Sequence, residues 1–188
     1  GLAQTNWYVI LQYFNSVDFN QVDPIFGRDI SFYFFKLPLY QLLTSLSISI
    51  VLLLILLTVV IYLAISAKSS INRLNFTNFK GIMHVIKNGF IQFAGKALAM
   101  LISMFMLLLA VKFYLDSFLV MFNAQGVVYG PGYTDIKINV PFLRVIAALS
   151  ALSAIIIAVG ILKKKLNFIV YPILGIFALT VIRVVAIV

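Results

Sequence analysis

The sequence predicts an all-α, polytopic transmembrane helix bundle with four complete spans, preceded by the end of an earlier one. The first reason is composition: of 188 residues, 63% are hydrophobic and 10% charged, with a mean hydropathy of +1.12. Soluble domains average about 45–50% apolar and about 25% charged residues, so a water-soluble enzyme or binding domain is excluded and a bilayer is the expected solvent. The second is length, because uncharged runs of the about 20 residues needed to cross hydrocarbon recur along the chain. The third is that charge falls between those runs rather than within them.

The elements follow in order. Residues 1–15 carry Trp7, Tyr8, Tyr13 and Phe14 among aliphatics. Such aromatics concentrate at membrane interfaces, so this piece is the exit end of an earlier span or a helix lying at the interface. With no Met and no signal-peptide pattern at Gly1, the chain reads as part of something longer. The first complete span is 39–65, within a stretch free of charge from Leu37 to Ala67. The second is 97–119, bracketed at its start by Lys96 and containing Lys112, whose stems can snorkel to the interface. The third is 141–162, with Pro141 in the first helical turn and Asn139 as a cap. The fourth is 166–188, with Pro172 near its start. All four belong to a single transmembrane domain, 1–188.

Between the first and second spans, 78–94 has the pattern of an amphipathic helix. Phe79, Ile82, Met83, Ile86, Phe90 and Phe93 project within an arc of roughly 100°, with Lys80, His84 and Lys87 elsewhere around the helix. A basic helix of this kind lies in a headgroup layer.

Orientation comes from the loops. Fourteen Lys and Arg stand against five acids, all of them Asp. Lys68, Arg73, Lys80, Lys87 and Lys96 crowd loop 68–96, and Lys163, Lys164 and Lys165 fill turn 163–165. By the positive-inside rule these two loops are cytoplasmic. Loops 16–38 and 120–140 are then extracytoplasmic in a plasma-membrane protein, and the acids and most tyrosines fall on their side. Basic residues placed this way meet anionic lipid, and no basic stripe interleaved with aromatics points to nucleic acid.

Little in the residues points to catalysis. Cysteine is absent, and His84 is the one histidine, with no Glu, Cys or second His to complete a metal or acid–base site. No catalytic, metal or cofactor-binding set is assigned and no cofactor is expected. Lys112 and Asp116 are one turn apart and can pair, and Arg183 sits near the outer end of the fourth span. Thr44, Ser45, Ser47 and Ser49 can hydrogen-bond across helices. Ala147, Ala151, Ala154 and Ala158 form a small-residue ridge that lets another helix approach.

The two outer loops are more informative. The first runs from Asp23-Pro24 through Gly27-Arg28-Asp29 to Leu37-Pro38. In the second, Gly130-Pro131-Gly132 demands a tight backbone before Tyr133, Thr134 and Asp135. Asp23, Arg28, Asp29, Tyr133 and Asp135 are the candidate interaction residues, for a cation or a neighbouring domain.

These loops also carry a resemblance. Asp23-Pro24, Phe26-Gly27-Arg28-Asp29-Ile30 and Phe32-Tyr33 resemble the D-P-x-F-G-R-D-x-x-F-Y signature of the large bacterial membrane proteins of uncharacterised protein family 0182. Leu37-Pro38 continues it, and Tyr114-Leu115-Asp116 is similar to that family's aromatic-Leu-Asp motif. Gly130 to Asp135, followed by Pro141, looks like its G-A-G-Y-T-D and Leu-Pro elements, with Pro131 replacing Ala and Val140 replacing Leu. The resemblance implies about seven spans followed by a large extracytoplasmic domain, of which this chain would be the end of the third span through the seventh. It implies an architecture and no particular reaction.

The expected role is therefore a multi-pass membrane anchor or scaffold for a large extracytoplasmic domain. Its expected partners are the lipid bilayer and the rest of its own longer chain. A channel or transporter component for a small solute, ion or lipid is the alternative, and it requires a cavity reaching mid-membrane. A membrane-embedded enzyme would need the outer aspartates gathered with Tyr133 and Arg28.

Overall fold

The computed structural model describes residues 2–71, 95–122, 131–162 and Gly175. Four α-helices fill the described residues: α1 (Leu2–Phe14), α2 (Leu37–Ile71), α3 (Gly95–Leu119) and α4 (Val140–Leu162). Among the described residues, three apolar helical segments are long enough to cross a membrane: Phe32–Ala64, Lys96–Phe122 and Asp135–Gly160. They overlap the first three spans expected from the sequence, with the first and third beginning six or seven residues earlier. The fourth expected span, 166–188, the amphipathic helix at 78–94, His84, and Lys163 to Lys165 lie outside the described residues. Helix α1 has 13 residues here, about 20 Å of helix. It packs beside the start of α2, with Tyr13 edge-on to Tyr40 at 6.3 Å.

The spans alternate in direction. Tyr33, just before α2, and Leu37 at its start are buried with Leu115 and Phe118 at the end of α3. Val120 just past α3 is buried with Val140 and Leu143 at the start of α4. Further along, Met106 of α3 packs on Ala154 and Ile157 of α4. Helix α3 therefore takes the main packing of both neighbours. Lipid tails are as apolar as leucine, so the contact depends on close van der Waals fit. Small residues permit it: on α4, Ala147, Ser150, Ser153 and Ala154 are buried, Ala151 is half-buried and Ala158 exposed. Much of α2 stays exposed, including Leu53, Leu56 and Ile61. An all-round apolar helix tolerates this in hydrocarbon.

Two entrances share one device. A π-helical turn, Phe32–Lys36, leads directly into Leu37-Pro38, and a second, Asp135–Asn139, leads into Val140-Pro141. Proline lacks an N–H, and its ring crowds the carbonyl four residues back. Shifting the preceding hydrogen bonds by one residue, Leu37 N–H to Phe32 O and Val140 N–H to Asp135 O, keeps the helix continuous at that point. The third span consequently starts before Pro141, and Asn139 lies inside the helix instead of capping it.

Two of the four hydroxyls that could reach across helices bond within their own helix. Thr44 donates to Tyr40 O at 2.7 Å and Ser49 to Ser45 O at 2.9 Å, both on their own helix. The carbonyl four residues back is the nearest acceptor when no water is at hand. A hydrogen bond that does cross between helices runs from Ser103 Oγ to Ala154 O, at 2.9 Å.

Candidate functional site

All five aspartates gather at one end of the bundle: three in loop 15–31, Asp116 in the last turn of α3, and Asp135 opening α4. Among the described residues, Arg28, Lys36, Lys112, Lys137 and Arg144 lie at that end, while Lys68 and Lys96 occupy the opposite one. Lys112 and Asp116 pair at 3.0 Å across one helical turn, as their spacing predicts. Both are partly exposed, so the pair contributes little to stability.

Loop 15–31 is organised around one carboxylate. Asp23 is only 3% exposed. Its Oδ1 accepts from Ile25 N–H at 3.1 Å, and its Oδ2 accepts from Phe26 N–H at 2.8 Å and from Tyr33 Oη at 2.9 Å. This is the habit of aspartate in turns, extended here by a tyrosine from the following helix. The main chain closes around it, with Asp23 N–H to Arg28 O at 2.8 Å and Gly27 N–H to Asp23 O at 2.9 Å. Gly27 takes φ +65°, a left-handed conformation that strains most side chains even though open space surrounds it. A bridge between Val22 and Asp29 ties the loop's two limbs together.

A second carboxylate holds the loop's exit. Asp29 Oδ1 accepts from Ser31 N–H at 2.8 Å and from Phe19 N–H at 3.2 Å. The Ser31 hydroxyl lies between Asp29 and Asp18, 3.2 Å from Asp18 Oδ1. That hydroxyl first, then the Ser31 N–H, hold the Asp29 carboxyl below its ordinary 3.8, with smaller help from the Phe19 and Asn20 amides against partial desolvation. A lowered folded-state value means that ionised Asp29 stabilises the loop above pH 3.8, and that this contribution is lost as pH falls through the folded value. Acid titration of thermal unfolding should therefore show a drop below about pH 4 that is shallower in Asp29→Asn.

The loop docks through aromatic rings. Phe26 lies 5.0 Å from Phe118 of α3, and the Arg144 guanidinium sits 5.2 Å above the Phe26 ring. Arg28 stacks likewise 5.3 Å over Phe32. Between the loop and the ends of α2 and α3 a cleft of about 490 Å³ remains, lined by Asp18, Arg28, Asp29, Ser31, Phe32, Lys36, Tyr40, Tyr114, Leu115 and Phe118. A smaller one of about 210 Å³ lies on the other side of Leu115, between Gln41, Thr44, Ser45, Lys112, Asp116 and Leu119.

Of the sequence-predicted residues, Asp23, Arg28 and Asp29 are brought together, Asp23 as the buried organiser and the other two as cleft walls. Tyr133 and Asp135 line neither cleft. Asp135 instead takes the Gly132 N–H at 3.2 Å, and Gly132 needs no left-handed backbone. Among the described residues no group of His, Cys, Asp or Glu could hold a metal ion. The roles of Ser31, Lys36 and Tyr33 were not evident from the sequence. An Asp-x-Ser step is the local signal for the first, whereas the other two depend on how the π-helical turn rotates the chain.

A family model described as "Uncharacterised protein family (UPF0182)" matches residues 1–188. A UPF0182 protein of Clostridium perfringens (strain ATCC 13124) is 44% identical over 183 residues, covering 96% of this chain and 20% of the relative. One from Clostridium kluyveri is 40% identical over 97% of this chain and 20% of the relative. One from Clostridium tetani is 36% identical over 92% and 19%. The chain thus spans about a fifth of the length of these curated relatives. No solved structure matches it.

Proposed function

The chain belongs to the uncharacterised protein family UPF0182, and on that footing we propose that it is the membrane anchor and scaffold of a larger bacterial plasma-membrane protein. In this reading 166–188 is a fourth span, loops 68–96 and 163–165 are cytoplasmic, and loops 16–38 and 120–140 hold an extracytoplasmic domain from the rest of the same protein. The observation that carries it is a stiff loop with an apolar outer surface. Loop 15–31 is fixed by Asp23 and Asp29, yet Val17, Phe19 and Val22 stay exposed, and Tyr133 is 78% exposed. An ordered loop carrying apolar side chains on its surface is the form an interface takes before its partner is added. On the small-residue ridge Ala147 and Ala154 are already buried, and a further helix would meet it at Ala158, which is still exposed.

A photo-reactive benzoylphenylalanine at Phe19 or Tyr133 of the intact protein tests the scaffold role. Cross-links to peptides of the same protein from outside this segment are the expected result, and cross-links to lipid alone would contradict it.

The smaller cleft, with its Lys112–Asp116 pair, favours the second reading, a channel or transporter component. That reading needs the polar path to continue inward. Met106, Ala154 and Ile157 fill the α3–α4 contact with apolar side chains, which supports the scaffold over the conduit.

A further inference from the structure

The cleft beside loop 15–31 combines features of a headgroup pocket. Its walls come from the first turns of one membrane-crossing segment, Phe32–Ala64, and the last turns of another, Lys96–Phe122. In a bilayer the ends of spanning helices lie at headgroup depth. Tyr40 and Tyr114, both exposed, flank the opening as interfacial aromatics do. The volume of about 490 Å³ falls within the about 300–1,000 Å³ typical of small-molecule sites.

The charges discriminate further. Arg28 and Lys36 line the cleft together with Asp18 and Asp29. None of these two cations and two carboxylates makes an ion pair within 4 Å with another of the four. Arg28 lies 5.3 Å over the Phe32 ring and is exposed, so its N–H donors can meet a guest. Asp29 is engaged by backbone amides besides the Ser31 hydroxyl that lies between it and Asp18, whereas Asp18 is exposed and meets that hydroxyl only. A guest carrying one negative and one positive group satisfies both halves, and a purely anionic guest would meet Asp18 unfavourably.

We propose that this cleft binds a zwitterionic phosphoethanolamine group, presented by a phospholipid of the surrounding leaflet. Arg28 and Lys36 take the phosphate, Asp18 takes the ammonium, and the acyl chains leave past Tyr40 and Tyr114. The proposal rests on the bilayer placement in the reading above and not on the scaffold role, so a failed cross-link leaves it standing.

The test is native mass spectrometry of the intact protein, stripped of lipid in detergent and exposed to mixed micelles of phosphatidylethanolamine or phosphatidylglycerol. Phosphatidylethanolamine should be retained preferentially, and R28Q/K36Q should lose at least about tenfold of that retention, as expected for a lost charge-assisted hydrogen bond. R144Q, whose guanidinium stacks on Phe26 outside the cleft, should retain it. K36Q alone should show a several-fold loss, so the proposal remains testable if R28Q disturbs the loop. Equal retention of both lipids would overturn the zwitterionic assignment. Unchanged retention in R28Q/K36Q and K36Q would overturn the site. Displacement of the lipid by inorganic phosphate at equal concentration would overturn the lipid as its source.

Discussion

Asp23→Ala lowers the unfolding free energy of the membrane region by about 3–5 kcal/mol and frees loop 15–31 from the end of α3. The size follows from what is left behind. Two backbone N–H groups and the Tyr33 hydroxyl lose a charged acceptor at a nearly fully buried position. Each unsatisfied buried donor costs about 1–3 kcal/mol, with the sum reduced because a loosened loop readmits water. Asp23→Asn keeps one carbonyl acceptor and should cost about half as much, while Tyr33→Phe removes a single hydrogen bond at about 1 kcal/mol. Thermal unfolding in a fixed detergent reads all three. A double variant of Asp23 and Tyr33 that costs the plain sum of the singles would show that the bond between them contributes nothing.

Phe118→Ala should be the next most damaging substitution, at about 3 kcal/mol, the lower end of the range for buried aromatics. Phe118 is 2% exposed and lies within 5.0–6.4 Å of Phe26, Phe32, Tyr33 and Tyr114. In a bilayer the transfer part of the loss shrinks, because the unfolded reference is also apolar. The cavity and the four lost ring contacts remain. Phe118→Leu keeps most of the volume and should cost less than about 1.5 kcal/mol. Faster hydrogen exchange at Phe26 in the alanine variant, but not at Met106, would place the damage at the loop junction. Uniform acceleration along α3 would contradict that assignment.

The spans were legible because hydropathy responds to one solvent property, and 39–65, 97–119 and 141–162 correspond closely to the three long apolar helices. Their entrances were harder to read. Leu37-Pro38 and Val140-Pro141 look like helix starts, since proline is tolerated in a first turn. Instead each continues a helix already begun, because the π-helical turn gives the missing N–H a place to fall. The candidate site was half legible. Asp23, Arg28 and Asp29 stand out through a compact turn that has to be bonded locally. Lys36, Tyr40 and Tyr114 reach the same cleft only after two helices pack side by side, and no local spacing encodes that. For Thr44 and Ser49 of α2, sequence supplies the donor but not which of several carbonyls is nearest, and both bond within their own helix.

The account as a whole depends on a polypeptide threaded through lipid with its aspartate end outside the cell. Single cysteines at Tyr133 and Lys164 test this directly, since the chain itself has none, once any elsewhere in the intact protein are replaced by serine. A membrane-impermeant maleimide should label Tyr133→Cys on intact cells and Lys164→Cys only after the membrane is opened. Labelling of both from the same side, or the reverse order, would contradict the threading and with it the scaffold.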